Sequence, residues 1–138
     1  MRMRLWIVDD DDLYWELVRT TVTRWGLDVE LDRCIDGHVF LDRLEEPGEL
    51  PDLVLLDERM PGLDGTQVLA ELRRRDLFPA LSVCLMTSSR EPELVRKALE
   101  RGARFCIEKP SSFEALKDIL SKIIAFYTTV ARLPESTG

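Results

Sequence analysis

Five times along this chain a short apolar run gives way to a stretch with helical periodicity, and few folds accommodate that alternation. The runs are Leu5–Val8, Leu27–Leu31, Leu53–Leu56, Leu81–Met86 and Arg104–Ile107. The first, third and fourth are almost continuously apolar, as expected of strands covered on both faces. Between them, Leu13, Leu17, Val18, Val22 and Trp25 share one helical face that stops at Gly26. A shorter helix starts at the N-cap candidate Asp36, and a third carries Val68, Leu69 and Leu72. A fourth, with Leu94, Val95, Ala98 and Leu99, stops at Gly102, and the last runs from the cap candidates Ser111 and Ser112 to about Ala131. Parallel strands need crossover helices, so five βα units predict an α/β fold: a doubly wound, five-stranded parallel sheet.

No repeat, linker or low-complexity stretch divides the chain, and 138 residues suit one domain with a proper core. The expected boundaries are 1–133, with residues 134–138 as a flexible tail. No run approaches the ~20 apolar residues of a membrane span, and the first residues lack a signal-peptide core, so a cytoplasmic protein without membrane contact is expected. The net charge of −7 and the lack of a basic face argue against direct nucleic-acid binding. Cys34, Cys84 and Cys106 lie far apart without C-x-x-C spacing, and reduced core thiols are the expectation. His38, the single histidine, has no ligand cluster around it in the sequence.

In open α/β sheets ligands bind beyond the carboxyl ends of the strands, where the winding reverses. Asp9, Asp10, Asp11 and Asp12 follow the first strand, Asp57 the third, Thr87 and Ser88 the fourth, and Lys109-Pro110 the fifth. Strand two offers nothing comparable. Taken alone, the DDDD run is as well explained by a solvated, helix-capping acidic stretch, and a lone Asp or Lys-Pro says little. Their joint placement at four strand ends points to one site. Two unit charges ~4 Å apart repel by about 4 kcal/mol at an effective dielectric near 20, so Asp9, Asp10 and Asp57 cannot cheaply ionise together. A hard divalent cation resolves this, and an all-oxygen set suits Mg2+. That chemistry prepares phosphoryl transfer, with one carboxylate as nucleophile and Thr87 and Lys109 contacting the transferred group.

With these residues placed, the sequence resembles the receiver domain of bacterial response regulators, the family of the chemotaxis protein CheY. The matching stretches are WIVDDDD (6–12), DLVLLDERMPGLDG (52–65), CLMTSS (84–89) and CIEKP (106–110). The resemblance implies a flavodoxin-like (βα)5 fold with strand order 2-1-3-4-5. It implies Asp57 as phosphoacceptor for a sensor histidine kinase, and Asp10 and Asp57 as Mg2+ ligands. Asp9 would help directly or through water, and Arg59 would supply its backbone carbonyl. It makes Thr87, Ser88 and Lys109 the phosphoryl-contacting residues, Met60-Pro61 and Asp64-Gly65 the shapers of the loop after strand three, and Lys109–Pro110 a cis peptide. Such domains catalyse only their own phosphorylation and dephosphorylation. Two positions depart from the commonest pattern. The coupling position usually held by Tyr or Phe is Cys106, with Phe105 beside it, so the partner of Thr87 in switching is open between them or lies elsewhere. Arg59 places a long cation two residues after the acceptor.

Taking about 100° per residue, Leu116, Ile119, Leu120, Ile123, Ile124, Phe126, Tyr127 and Val130 cover an arc of roughly 160° on the last helix, more than the ~100° that packing on a sheet needs. This is either a generous core face or a homodimer interface. We expect the dimer, through Ile119, Ile123, Phe126, Tyr127 and Val130. The ending FYTTVARLP (126–134) and the insert EEPGELPDLVLLD (45–57) are similar to those of small stand-alone regulators that partner phytochrome-type histidine kinases. Two alternatives are a receiver fragment of a longer transcription factor or hybrid kinase, and an aspartyl-phosphate hydrolase of haloacid dehalogenase type. The latter places D-x-D after its first strand, whereas Asp57 follows the third. A receiver acting only as a docking module is disfavoured by the intact Asp57, Thr87 and Lys109 set. The P-loop pattern is absent.

Overall fold

The computed structural model describes residues 2–78, 80–89 and 91–129. Strands and helices alternate in the order β1 (Met3–Val8), α1 (Asp12–Arg24), β2 (Val29–Cys34), α2 (Gly37–Leu44), β3 (Leu53–Asp57), α3 (Gly65–Arg74), β4 (Val83–Thr87), α4 (Pro92–Glu100), β5 (Phe105–Glu108) and α5 (Phe113–Thr129). The sheet runs β2-β1-β3-β4-β5, every pair parallel, as the resemblance implied. The winding reverses between β1 and β3.

Side chains alternate across the pleat, which sorts the core into two layers. Trp6, Val8, Val54, Leu56, Val83 and Leu85 pack with Phe40, Val68, Leu69, Leu72 and Ala98 of α2, α3 and α4. Leu5, Ile7, Leu53, Leu55, Cys84 and Met86 pack with Tyr14, Val18, Leu116, Leu120, Ile123 and Tyr127 of α1 and α5. Helix starts are set by local chemistry: Asp11 accepts from Leu13 N and Tyr14 N, Asp36 from Val39 N, and Ser112 from Ala115 N. Asp64 opens α3 in a full capping box with Gln67.

Three expectations need correction. Strand β2 lies two to three residues later than the apolar run suggested, because an edge strand buries little and carries Glu30, Asp32 and Arg33 among its apolar residues. On α1 the phase set by the Asp11 cap turns Tyr14, Val18 and Thr21 inward and leaves Leu13 82% exposed. On α5 the broad apolar arc is largely core: Ile123 and Tyr127 are buried within the chain, Ile119 is partly buried against the same layer, and Phe126 is exposed. Val130 and the expected tail 134–138 lie outside the described residues.

Candidate functional site at the β1 and β3 ends

Asp9 leaves β1 fully buried. Its amide donates to Cys34 O at 3.1 Å and its Oδ1 accepts from Asp11 N at 2.9 Å. The DDDD run therefore divides its labour. Asp9 and Asp10 turn to the sheet edge, Asp11 caps α1, and Asp12 pairs with Arg33 at 2.8 Å. Asp57 closes β3, where Gly65 keeps the next loop tight. A Cβ on Gly65 would lie 2.7 Å from Asp57 O and 2.9 Å from Glu58 Cα. One carboxylate oxygen from each of Asp9, Asp10 and Asp57 lies within 4.8 Å of the others.

Lys109 reaches into this cluster from beyond β5, with Nζ 2.7 Å from Asp9 Oδ2 and 3.3 Å from Asp57 Oδ1. At 2.7 Å the Lys109 ammonium is a direct, charge-assisted partner of the buried Asp9 Oδ2. Burial, the Asp9 charge and, more weakly, Asp10 push the Asp57 carboxyl up to about 6, against the opposing pull of Lys109. Burial works to lower the Lys109 ammonium, but its contacts with Asp9 and Asp57 outweigh this and raise it. Among the described residues, one cation thus faces three clustered carboxylates, two of them buried. This all-oxygen, under-neutralised set fits a hard divalent cation such as Mg2+.

Thr87 is buried at the end of β4, and its Oγ1 accepts from Ser89 N at 2.9 Å; Ser88 is exposed beside it. Arg59 is exposed, its guanidinium 3.6 Å from Glu58. The Lys109–Pro110 bond is not cis: no cis peptide occurs among the described residues, in keeping with the trans preference of about 0.5–1 kcal/mol that X–Pro bonds retain. Cys106 packs toward the α2–α4 layer, whereas Phe105 packs toward α1 and α5, so Phe105 stands on the face away from α4.

Two residues of the site escaped the sequence reading. Arg33 of β2 donates through Nε and Nη2 to the Asp9 carbonyl at 3.1 and 3.0 Å, clamping the peptide between the first two aspartates. Tyr14 lies beneath Lys109, its ring centroid 4.2 Å from Nζ, and its hydroxyl is 3.9 Å from Met86 Sδ. Burial, then Asp9 and Asp57, raise the Tyr14 phenol well above its usual range, so it stays neutral. The available signals were an arginine at the inward end of an edge strand and a tyrosine one helical turn after Asp10; both were outweighed by the leucine pattern.

A 2-1-3-4-5 parallel sheet with acids gathered at its reversal point, and a lysine reaching them from beyond the last strand, defines the flavodoxin-like class. Residues 5–121 match the response regulator receiver domain family, and the chain belongs to it. Among relatives, it is 32% identical over 132 residues to FilR2, a probable methanogenesis regulatory protein of Methanothrix harundinacea, covering 93% of this chain and 85% of that one. It is 33% identical over 133 residues to the transcriptional regulatory protein ZraR of Salmonella typhimurium, covering 96% of this chain but 29% of ZraR. Among solved structures, it is similar to response regulator RPA3017 in red light signaling of R. palustris (TM-score 0.84, 22% identity, 97% of this chain and 99% of that one). It is similar to the phosphorylated cyanobacterial phytochrome response regulator RcpA (TM-score 0.80, 23% identity, 98% and 100%). It also resembles the Mn(2+)-bound form of response regulator Rcp1 (TM-score 0.76, 26% identity, 96% and 99%). No helix among the described residues is long and apolar enough to cross a membrane.

Proposed function

We propose that Asp57 accepts a phosphoryl group from the phosphohistidine of a sensor kinase, with Mg2+ as cofactor. The observation that carries this is the buried Asp57 carboxylate, held 3.3 Å from Lys109 and within 4.8 Å of oxygens from Asp9 and Asp10. Asp9, Asp10, Asp57 and the backbone carbonyl of Arg59 would hold the metal, which when bound neutralises charge on the carboxylates and on the transferred group. An Asp57 carboxylate oxygen attacks phosphorus in line with the P–N bond. That bond breaks, the imidazole nitrogen keeps the electron pair and takes a proton, and an acyl phosphate is left on Asp57. Lys109 balances one equatorial oxygen, and Thr87, assisted by Ser88, donates to another.

The modification adds about −1.5 to −2 charges beside Thr87 and Lys109. Turning the Thr87 hydroxyl toward them disturbs the contact from Ser89 N, which links the site to the β4–α4 loop. Cys106, on the α4 side of β5, is too small to act as a rotating aromatic lever, so the signal passes through this loop to α4, β5 and α5. The chain forms homodimers through exposed Phe126 and neighbouring Ile119 on α5, and the dimer equilibrium responds to phosphorylation. The phosphodonor is a phytochrome-type kinase; the sequence of residues 45–57 and 126–134 supports this, and the red-light and phytochrome regulators noted above share the fold. Three free thiols suit a cytoplasmic setting.

Incubation with acetyl phosphate and Mg2+, resolved on a phosphate-binding gel, tests the assignment. The wild-type chain gives a retarded band that Asp57→Asn lacks. A retarded band in Asp57→Asn contradicts it. Phosphotransfer profiling against candidate kinases under red and far-red light tests the donor.

A further inference from the structure

We propose that Tyr14 is a positioning residue that aims the Lys109 ammonium at Asp57. This rests on the reading of Asp57 as phosphoacceptor. Lys109 carries its charge on a four-carbon stem with large rotamer freedom, so some agent must confine its head. Three groups do so here: Asp9 Oδ2 at 2.7 Å, Asp57 Oδ1 at 3.3 Å, and the Tyr14 ring at 4.2 Å from its centroid. The two carboxylates are also candidate metal ligands, so their hold on the lysine is shared. Among the described residues, Lys109 is the one cation over the Tyr14 ring. A cation over an aromatic face is attracted by the ring quadrupole, the more so where water is scarce, and the Lys109 side chain is only 21% exposed.

The ring is itself fixed. Tyr14 is 7% exposed, packs in the α1–α5 layer, and brings its hydroxyl to the sulfur of fully sheeted Met86 on β4. A leucine or methionine would also pack in this layer but would offer no negative charge density to the ammonium. The tyrosine therefore supplies direction rather than packing alone.

The test is a beryllofluoride titration in saturating Mg2+, read by amide chemical shifts, on wild type, Tyr14→Met and Tyr14→Phe. Methionine keeps an apolar, helix-compatible side chain but removes the π face; phenylalanine keeps the face and loses the hydroxyl. The expected result is an apparent affinity about 3- to 10-fold weaker in Tyr14→Met and within about twofold of wild type in Tyr14→Phe, with Mg2+ affinity unchanged in both. Wild-type affinity in Tyr14→Met overturns the proposal. So does equal impairment in Tyr14→Phe, which makes the hydroxyl contact to Met86 the operative one. A wild-type chain with no beryllofluoride response removes the phosphoacceptor reading itself, and the role of Tyr14 with it.

Discussion

Replacing Asp57 by Asn should stabilise the metal-free protein, although it deletes half of an ion pair with Lys109. Oxygens of Asp9 and Asp10 within 4.8 Å of the Asp57 oxygen each repel it by at least about 3.5 kcal/mol at an effective dielectric near 20, against roughly 5 kcal/mol of attraction from Lys109 at 3.3 Å. The balance is repulsive by about 2 kcal/mol before burial is added. Burial, Asp9 and Asp10 push the carboxyl up to about 6 against the pull of Lys109, the same direction. Because the folded-state value lies above the ordinary one, the folded chain holds this proton more tightly than the unfolded chain does. The stability it contributes is complete below about pH 4 and is lost as pH rises through 6. In thermal melts with EDTA at pH 8, Asp57→Asn should therefore gain about 1–3 kcal/mol, or ~3–4 °C per kcal/mol for a chain of this size. The gap should close toward pH 5 and narrow with added Mg2+, which stabilises wild type more. An Asn variant that melts at or below wild type at pH 8 without metal would refute this electrostatic picture.

Other substitutions test separate links. Arg33→Ala frees the Asp9 carbonyl and should weaken Mg2+ binding about tenfold by calorimetry, with unchanged affinity showing that the clamp is incidental. Gly65→Ala puts a Cβ against Asp57 O and Glu58 Cα, so denaturant melts should show a loss of about 1–3 kcal/mol; a neutral result would mean the loop yields easily. The Tyr127 hydroxyl is buried without a partner among the described residues, so Tyr127→Phe should hold or raise the melting temperature, by up to about 1 kcal/mol in stability. Phe126→Glu should shift any dimer to monomer in light scattering while leaving Asp57 chemistry intact.

The sheet was legible because β1, β3 and β4 are buried on both faces and so carry uninterrupted apolar runs. Strand β2 was not, since an edge strand needs few buried residues and its charges blur the pattern. At the site, Asp9, Asp10, Asp57, Thr87 and Lys109 could be read from their positions just after the strands. Tyr14 and Arg33 could not, because their roles depend on tertiary placement: one is a core residue whose ring also faces a cation, the other an edge-strand side chain folded back over β1. The α1 face was misjudged for a related reason. Leucine outranks tyrosine and threonine in any apolar count, yet the cap at Asp11 turns Leu13 out, while Thr21 satisfies its buried hydroxyl on Leu17 O at 2.7 Å. Most of the α5 arc serves a helix lodged against α1 and the sheet, while Phe126 on the same arc stays exposed.

Borohydride trapping after acetyl phosphate treatment, followed by peptide sequencing by mass spectrometry, tests the central claim most directly. Reduction of an acyl phosphate converts the acceptor aspartate to homoserine. Homoserine should appear at position 57, dependent on Mg2+, with Asp9, Asp10, Asp11 and Asp12 unmodified. Homoserine within the 9–12 run, or none anywhere under conditions that phosphorylate a known receiver, would contradict it.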